Sequence, residues 1–465
     1  MRKLLVSLLF ASLPAAAAVS EPDIQTAEKL RDQALASHQA YDLVKSLVVE
    51  VGPRLAGSEN NKKAEAWAVA KLKSLGFDKV YTEALTIPTW ARGTIHAEIS
   101  APYRQHLVLT ALGGSVGTDA KGIDAEVVRF ADIDALKAAD RNAVAGKIVF
   151  IDKPMARVQN GFQYGTTVAG RAMGAIEAAK LGAKAVLIRS VGTGLSRFPH
   201  TGMMRYQDDV TKIPAAALAV PDANLVAAML QAGKPVKLHL TMTAEPGPQT
   251  TVHNVIAEVT GSEKPDEIVL IAGHLDSWDE GQGAIDDGAG IAIAAAAGKL
   301  IKDLPKRPKR TIRVVFFAAE ETGLWGGKAY VEQHKGKDLA KHVLAGESDF
   351  GADRVYRIDT RFGPEGEALR SALNKVLSPI GVDMGDNQAG GGSEVSLLPY
   401  QGVPVVSLRQ DGTYYFDYHH TADDTLNKID PAQLAQNVAA WVATVYLAAQ
   451  NDSPLRPIPE GNFGE

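Results

Sequence analysis

The carboxyl-terminal half of the chain alternates short apolar runs with stretches of helical periodicity. The apolar runs are nearly uninterrupted, which predicts strands covered on both faces, as in a parallel or mixed sheet. Helical periodicity is clearest over residues 288–304 and 365–377, and Asp430 before Pro431 predicts the start of a last helix that reaches Gln450. This alternation is typical of an α/β fold. The predicted strands cover residues 267–272, 312–319, 342–346 and 403–408.

The amino-terminal part of the chain begins with helical patterns. Residues 24–50 have helical spacing, and Ser58 occupies an N-cap position before a predicted helix over residues 60–75. A strand is predicted next, over residues 79–87. We expect these elements to join the α/β half of the chain in one domain.

The segment between residues 88 and 248 has a different pattern of predicted elements. Its strand-like runs are shorter and separated by glycine-rich turns, and it contains one clear helical pattern, over residues 170–181. A cluster of proline and glycine at residues 245–248 ends the segment. We therefore predict a β-rich lobe, residues 88–248, inserted into an α/β domain made of residues 19–87 and 249–465.

The first 18 residues have the pattern of a secretory signal peptide. Arg2 and Lys3 precede an apolar run over residues 4–13, and the alanines at 16–18 supply the small residues of a cleavage site. The apolar run is too short to span a bilayer. We expect an exported protein, secreted or periplasmic, with residues 1–18 removed and no membrane span left after cleavage.

Composition narrows the possible functions. Apolar residues make up 46% of the chain and charged residues 22%, as in a soluble globular protein. The formal net charge is -5 and no long run of Lys or Arg occurs, so nucleic acid is not an expected partner. The chain has no cysteine, which excludes disulfides and thiol catalysis, and any zinc site must use histidines and carboxylates.

Acidic and histidine residues follow each of the four predicted strands of the carboxyl-terminal half. Ligands of open α/β sheets bind at the carboxyl ends of the strands, so these side chains are expected to meet at one edge. Each motif alone is more often a helix cap or a solvated loop, but their order after successive strands favours a metal site. The residues are His274 and Asp276, Asp286 and Asp287, Glu320 and Glu321, Asp349, and His419 and His420.

The set matches the needs of two-metal hydrolysis. Two divalent ions roughly 3.5–4 Å apart can activate a bridging water and stabilise an oxyanion, and a shared carboxylate can bridge them. A further carboxylate must accept the proton of the water, a role that we assign to Glu320. Asp276, two residues after His274, is expected to orient its imidazole. The predicted metal ligands are His274, Asp286, Glu321, Asp349 and His420.

Four runs of sequence resemble the co-catalytic zinc exopeptidases: GHLDSWD at 273–279, GAIDDG at 283–288, AEETG at 319–323 and HTADDT at 420–425. The resemblance extends over most of the chain. It implies a three-layer α/β/α fold with a mixed, mostly parallel central sheet and an inserted protease-associated lobe, and it implies two zinc ions per chain. In such enzymes the first glutamate of the pair is the base and the second a ligand, which agrees with the roles given to Glu320 and Glu321.

Other functions remain open at this stage. A glutaminyl-cyclase-like transferase of the same fold would need one metal, and a receptor-like ectodomain would need none; the complete ligand set favours a di-zinc exopeptidase acting on dipeptides or short peptides. An aminopeptidase must hold the α-amine of its substrate and a carboxypeptidase or dipeptidase the terminal carboxylate. The substrate-binding residues are unknown, and a homodimer is left open. Candidates for contacts with the carboxylate or the side chains of the substrate are Arg361, Arg409, Tyr414, Tyr415 and Tyr418.

The peptide bond between Asp286 and Asp287 is predicted to be cis. Asp286 has to bridge two ions from a loop that turns at once into a helix at Gly288. A cis bond shortens the Cα–Cα step from ~3.8 to ~2.9 Å and lets the second carboxylate point away from the metals. The family resemblance implies the same geometry.

Overall fold

Two eight-stranded sheets organise the chain. The computed structural model describes residues 19–461, so the predicted signal peptide at 1–18 lies outside the described residues. The strands are β1 (Lys79–Ala91), β2 (Ile95–Ala101), β3 (Gln105–Leu107), β4 (Leu109–Ala111), β5 (Ile123–Phe130), β6 (Ile148–Ile151), β7 (Ala185–Arg189), β8 (Ala215–Leu218), β9 (Lys237–Met242), β10 (Glu245–Val259), β11 (Lys264–His274), β12 (Arg310–Phe317), β13 (His342–Glu347), β14 (Val355–Arg361), β15 (Asp383–Met384) and β16 (Val405–Gln410).

The helices fall before, between and after these strands, as an α/β chain requires. None of those between residues 19 and 461 has both the length and the apolar character needed to cross a bilayer. They are α1 (Glu21–Leu35), α2 (Gln39–Glu50), α3 (Glu59–Ser74), α4 (Ile133–Lys137), α5 (Arg141–Val144), α6 (Gln163–Thr167), α7 (Ala169–Lys180), α8 (Val220–Gln231), α9 (Ala289–Lys302), α10 (Trp325–His334), α11 (Glu367–Leu377), α12 (Tyr415–Tyr418) and α13 (Pro431–Gln450).

The first sheet is mixed, with the strand order β1-β10-β12-β11-β13-β16-β14-β15. Its centre, β12-β11-β13-β16, is parallel, and antiparallel pairs join β1 to β10, β10 to β12 and β14 to β16. Every residue of β12 is buried, as expected for a strand covered on both faces. The predicted α/β fold and its mixed sheet are confirmed.

Alternate residues of β11 show how the layers are arranged. Val269 and Ile271 pack into the apolar cluster that contains α9 and α13. Ile268 and Leu270 point to the opposite face and pack with Tyr330 of α10. Because neighbouring side chains of a strand point to opposite faces, the two clusters are two helical layers on either side of the sheet. This is the α/β/α arrangement.

The second sheet is built from residues 95–242 and has the order β3-β2-β9-β5-β6-β7-β8-β4. Its β5-β6-β7-β8 half is parallel, and the predicted helix over 170–181 is α7. The segment also contains the shorter helices α4, α5 and α6, and the alanine-rich α8, which have no strong helical period in the sequence.

Cap residues place several helix ends where the sequence predicts them. Ser58 accepts a hydrogen bond from the Asn61 backbone N–H at 3.1 Å and starts α3. Asp430 accepts from the second and third residues of α13, which ends at Gln450. The stretch of helical spacing over residues 24–50 forms two helices, α1 and α2, which are separated by residues 36–38.

A buried polar network joins α10 to β13. The hydroxyl of Tyr330 lies 2.8 Å from Nη1 of Arg313, from which it accepts a hydrogen bond, and it donates to Nε2 of His342 at 2.7 Å. Nδ1 of His342 donates to the backbone carbonyl of Asp338 at 3.0 Å. Burial, together with the nearby Arg313 guanidinium, lowers the pKa of His342 to about 4, so the imidazole is neutral in the folded protein.

This network predicts acid sensitivity. The histidine side chain in the unfolded chain has a pKa of about 6.5, so between pH 6.5 and 4 the unfolded state binds a proton that the folded state does not. The free energy of unfolding should therefore fall as the pH falls through this window, by about 1–3 kcal/mol for this residue. His342→Gln should make the profile shallower in urea unfolding measured from pH 7 to 4. His38→Gln, at an exposed position, is the control; equal slopes for all three proteins would contradict the prediction.

Candidate metal centre

The carboxyl edge of the first sheet brings together all the residues that the sequence predicts for the metal site. His274 is the last residue of β11, and Asp286 lies in the loop between that strand and α9. Glu320 and Glu321 follow β12, and Asp349 follows β13. The fourth predicted strand, β16, leads through α12 to His419 and His420.

Asp286 lies between two groups of ligand atoms. Its Oδ1 is 3.1 Å from Nε2 of His274, which is also 3.4 Å from Oδ1 of Asp349. Its Oδ2 is 3.4 Å from Nε2 of His420, which is also 2.9 Å from Oε2 of Glu321. The two oxygens of one carboxylate thus face two different imidazoles, which is the arrangement that a bridging ligand requires.

The donor set fits divalent cations. Asp286 Oδ2 and Glu321 Oε1 are buried and find no hydrogen-bond partner within residues 19–461. Burial raises the pKa of both carboxyl groups, and for Glu321 the nearby Asp286 and Glu320 add to it. Carboxylates packed this closely away from water need a compensating positive charge. Imidazole nitrogens and carboxylate oxygens are the zinc ligands available to a chain without cysteine.

The histidines at the centre differ in their electrostatics. Burial disfavours the charged form of His274, but the carboxylates of Asp349, Asp276 and Asp286 outweigh it and raise its pKa well above the ordinary value. Burial lowers the pKa of His419 and of His420 well below the ordinary value. His420 is therefore neutral, the state in which an imidazole can bind a metal.

His419 and Asp287 also lie at this cluster, but only His419 directs a ring nitrogen at Asp286. Nε2 of His419 lies 3.5 Å from Asp286 Oδ2, and its ring is stacked on that of His420 with the centroids 3.6 Å apart. Asp287 is held by the backbone instead, because its carboxylate accepts from the N–H groups of His274 and Gly290, both at 2.9 Å. The Asp286–Asp287 peptide bond is cis, as the sequence analysis predicts.

Asp276 positions its neighbours through two different groups. Its backbone carbonyl lies 3.1 Å from Nδ1 of His274, which leaves Nε2 directed at Asp286. Its carboxylate accepts from the backbone N–H groups of Glu320 at 3.0 Å and Glu321 at 3.3 Å. The hydrogen bond that orients the His274 imidazole is thus made by the main chain of Asp276. The carboxylate lies 3.6 Å from the same Nδ1 and holds the glutamate pair.

Glu320 is partly exposed, whereas Glu321 is buried. Burial and the surrounding carboxylates raise the pKa of Glu320 well above its ordinary value, although His274 opposes the shift. Ala319, directly before it, has a φ of 59°, in the left-handed region that non-glycine residues rarely occupy. The other non-glycine residues with positive φ between positions 19 and 461 are Leu324 and His420, so this backbone strain is concentrated at the cluster.

A buried clamp that the sequence analysis missed holds the loop of Asp286. The carboxylate of Asp424 accepts backbone hydrogen bonds from Ala284 at 2.9 Å, Ile285 at 2.8 Å and Asp286 at 3.3 Å. The fully buried Arg54 donates to three carbonyl groups of the same region. Asp424 lies in the HTADDT run at 420–425, which marks it as part of the family resemblance. The carbonyls are those of Leu275 (2.5 Å), Gln282 (3.0 Å) and Gly283 (2.9 Å).

The segment that carries the second sheet also contacts the centre. The carbonyl of Thr201 lies 3.3 Å from Nδ1 of His420, and Nδ1 of His200 lies 2.7 Å from the carbonyl of His419. The Thr201 backbone N–H donates to the carbonyl of His420 at 2.9 Å. The sequence gives no sign of these contacts, which join residues 219 positions apart.

The candidate substrate contacts are only partly brought to the cluster. Tyr415 is buried, with its ring centroid 4.9 Å from that of His419. Arg409 pairs with Asp359 at 3.0 Å. Three others have partners elsewhere: Arg361 donates to the Ala389 carbonyl, the exposed Tyr414 lies under the Arg157 guanidinium, and Tyr418 lies under the Lys428 ammonium.

An α/β/α fold that collects carboxylates and imidazoles at the carboxyl edge of its sheet is typical of a metallohydrolase. Residues 254–445 match the profile of Peptidase family M28. The chain is 38% identical to carboxypeptidase Q of Mus musculus over 418 residues, which cover 90% of this chain and 87% of that protein. The chain belongs to peptidase family M28, and it is an exopeptidase of the zinc-dependent kind.

Solved structures have the same fold. The crystal structure of a Peptidase M28 precursor from Shewanella amazonensis shares 53% sequence identity with the chain, with a TM-score of 0.93, over 95% of this chain and all of that one. A zinc aminopeptidase from Bacillus subtilis, at 20% identity, has a TM-score of 0.64 over 88% of this chain and 94% of its own. The predicted family resemblance is confirmed.

The Asp424 clamp predicts a loss of stability that does not depend on bound metal. Asp424→Asn replaces one carboxylate oxygen by an amide donor that faces backbone N–H groups, and leaving buried donors unpaired costs about 1–3 kcal/mol. Urea unfolding of chelator-treated protein should show this decrease. Asp423→Asn, which removes a partly exposed ion pair with Lys428, is the matched control and should change stability by less than about 1 kcal/mol. An unchanged midpoint for Asp424→Asn would contradict the role of the clamp.

Proposed function

We propose that the chain is an exported exopeptidase that hydrolyses dipeptides or short peptides with two zinc ions. The observation that carries the proposal is the position of Asp286, whose two oxygens face two separate pairs of ligand atoms. One ion would be held by His274, Asp349 and Asp286, and the other by His420, Glu321 and Asp286. When bound, such a pair of ions polarises the scissile carbonyl and activates water at neutral pH.

Glu320 is assigned as the general base. Like Asp349, it is partly exposed, but among residues 19–461 it makes no ion-pair contact with the imidazoles of the cluster. Asp349 and Glu321 do make such contacts, with His274 and His420. A carboxyl group with a raised pKa is suited to accept the proton of the attacking water and to return it to the leaving amine nitrogen. Asp276 fixes the backbone of this residue and thereby the direction of its side chain.

The domain organisation supports this function. Residues 19–87 and 249–465 would form the zinc peptidase domain and residues 88–248 an inserted protease-associated domain, in agreement with the division of the strands into two sheets. The second sheet is anchored to the first domain by polar contacts such as the ion pair of Arg157 with Asp417 at 2.7 Å. Export, to the periplasm or the medium, is proposed from the sequence of residues 1–18.

We propose that the enzyme removes residues from the carboxyl end of short peptides or cleaves free dipeptides. The carboxypeptidase Q relatives support this direction, whereas the zinc aminopeptidase likeness is one of fold. Three substrates distinguish the alternatives: an N-blocked peptide, a C-amidated peptide and a free dipeptide. Cleavage of the C-amidated peptide without cleavage of the N-blocked one would identify an aminopeptidase instead.

The two adjacent glutamates should respond differently to the same substitution. Glu320→Gln should retain both zinc ions and lose turnover by at least ~10²-fold, because only the proton acceptor is removed. Glu321→Gln should lose zinc, because a ligand is removed. Zinc content by mass spectrometry and steady-state kinetics test both, with Glu332→Gln, at an exposed position of α10, as the control. The opposite pattern would reverse the two assignments.

Removal of zinc should lower thermal stability as well as abolish activity. The chain has no disulfide, and a ligand that binds only the folded state stabilises it by RT ln(1 + [L]/Kd). Chelation should therefore lower the Tm, and added zinc should restore both the Tm and turnover. A melting curve that stays the same after verified metal removal would exclude a stabilising role for the ions.

A further inference from the structure

Arg171, on α7, is a buried arginine that has no acidic partner among residues 19–461. Its relative exposure is 8%, and its guanidinium makes two hydrogen bonds, both to neutral oxygens. Nη2 donates to the hydroxyl of Tyr164 at 2.6 Å and Nη1 to the carbonyl of Thr201 at 3.4 Å. Its Nε–H is buried and has no hydrogen-bond partner within residues 19–461. Buried arginines are normally paired, so an unpaired one needs an explanation.

The fold leaves space for this guanidinium. Gly202 has a φ of 136°, and a Cβ at this position would collide with Nη1 and Cζ of Arg171. The glycine therefore permits the close approach of the guanidinium to the backbone that carries Thr201.

The unpaired cation lies beside the metal centre. The carbonyl of Thr201 that accepts from Arg171 is also 3.3 Å from Nδ1 of His420. The ring of Tyr164 lies edge-on to His419, with centroids 5.1 Å apart, and the side chain is partly exposed. Burial raises the pKa of the Tyr164 hydroxyl, which is therefore a neutral donor. A guanidinium and a hydroxyl thus stand together next to His420, a predicted zinc ligand, and its neighbour His419.

Arg54, Arg92 and Arg409 already have partners for their guanidinium groups. Arg54 uses its guanidinium on three backbone carbonyls. Arg92 forms an ion pair with Asp279, and Arg409 forms one with Asp359. Arg171 is the arginine of this region that retains a buried N–H for another acceptor.

We propose that Arg171 and Tyr164 form the subsite for the terminal carboxylate of the peptide substrate. A carboxylate accepts well from guanidinium and hydroxyl donors, and its charge would balance that of the buried arginine. A protonated α-amine would be repelled at the same place. The inference rests on the proposed exopeptidase function. It gives that function a direction, because the subsite would select substrates with a free carboxyl end. The residues that form it belong to the segment that carries the second sheet.

The test compares a free dipeptide with the same dipeptide amidated at its carboxyl end. The wild-type enzyme with zinc bound should have a kcat/KM at least about 10-fold higher for the free acid, since a lost charged hydrogen bond corresponds to this factor or more. Arg171→Gln should raise the KM for the free acid at least about 10-fold, with kcat within about 3-fold of wild type, and leave the amide unaffected. Tyr164→Phe should show the same pattern with a smaller amplitude. Arg205→Gln, at an exposed position, is the control.

The outcomes are separable. A loss of rate for both substrates in Arg171→Gln, or a loss of zinc, would show a structural role and overturn the subsite. Should that variant fail to fold, the wild-type comparison still decides, because equal kcat/KM values for acid and amide overturn the proposal. A wild-type enzyme that cleaves the amide but no N-blocked peptide would refute the subsite and leave the zinc exopeptidase intact. If the wild-type protein with two zinc ions cleaves no peptide, the proposed function itself fails.

Discussion

The concentration of negative charge at the carboxyl edge of the first sheet is the constraint on which the rest of the site depends. Asp286, Glu320, Glu321 and Asp349 would repel one another and lose much of their hydration if no positive charge lay between them. The protein meets this constraint by holding the chain around the carboxylates very firmly. The Asp424 clamp and the buried Arg54 fix main-chain positions through side-chain hydrogen bonds, and the left-handed residues Ala319 and His420 turn the backbone at the cluster.

The sequence predicts the strands and the residues that cluster at their carboxyl ends, because both depend on local patterns. The strand before His274 is a run of apolar residues, and its carboxyl end is where an α/β sheet places its ligands. The helix after Asp430 follows from one cap and one proline. In each case the information lies within a few residues, and the structure places these elements within a few positions of the prediction.

The residues that the sequence did not reveal act across long distances in the chain. Arg54 reaches carbonyl groups more than two hundred positions away, and Thr201 does the same for His420. Such contacts exist only after the strands have packed, and no periodicity encodes them. The same holds for Arg171. An arginine in a helix is ordinary in a sequence, and only the folded structure shows that its Nε–H is buried without an acceptor among residues 19–461.

The contact between Thr201 and His420 has a consequence for how such an enzyme can vary. The acceptor for the His420 imidazole is a carbonyl of the main chain, so its position depends on the path of the backbone. The Thr201 hydroxyl is buried and helps to fix that path, because it donates to the Ala111 carbonyl and accepts from Nη1 of Arg92. An insertion or deletion in the neighbouring loop would shift the carbonyl and disturb the ligand directly. The length of this loop therefore links the inserted segment to the chemistry of the sheet edge.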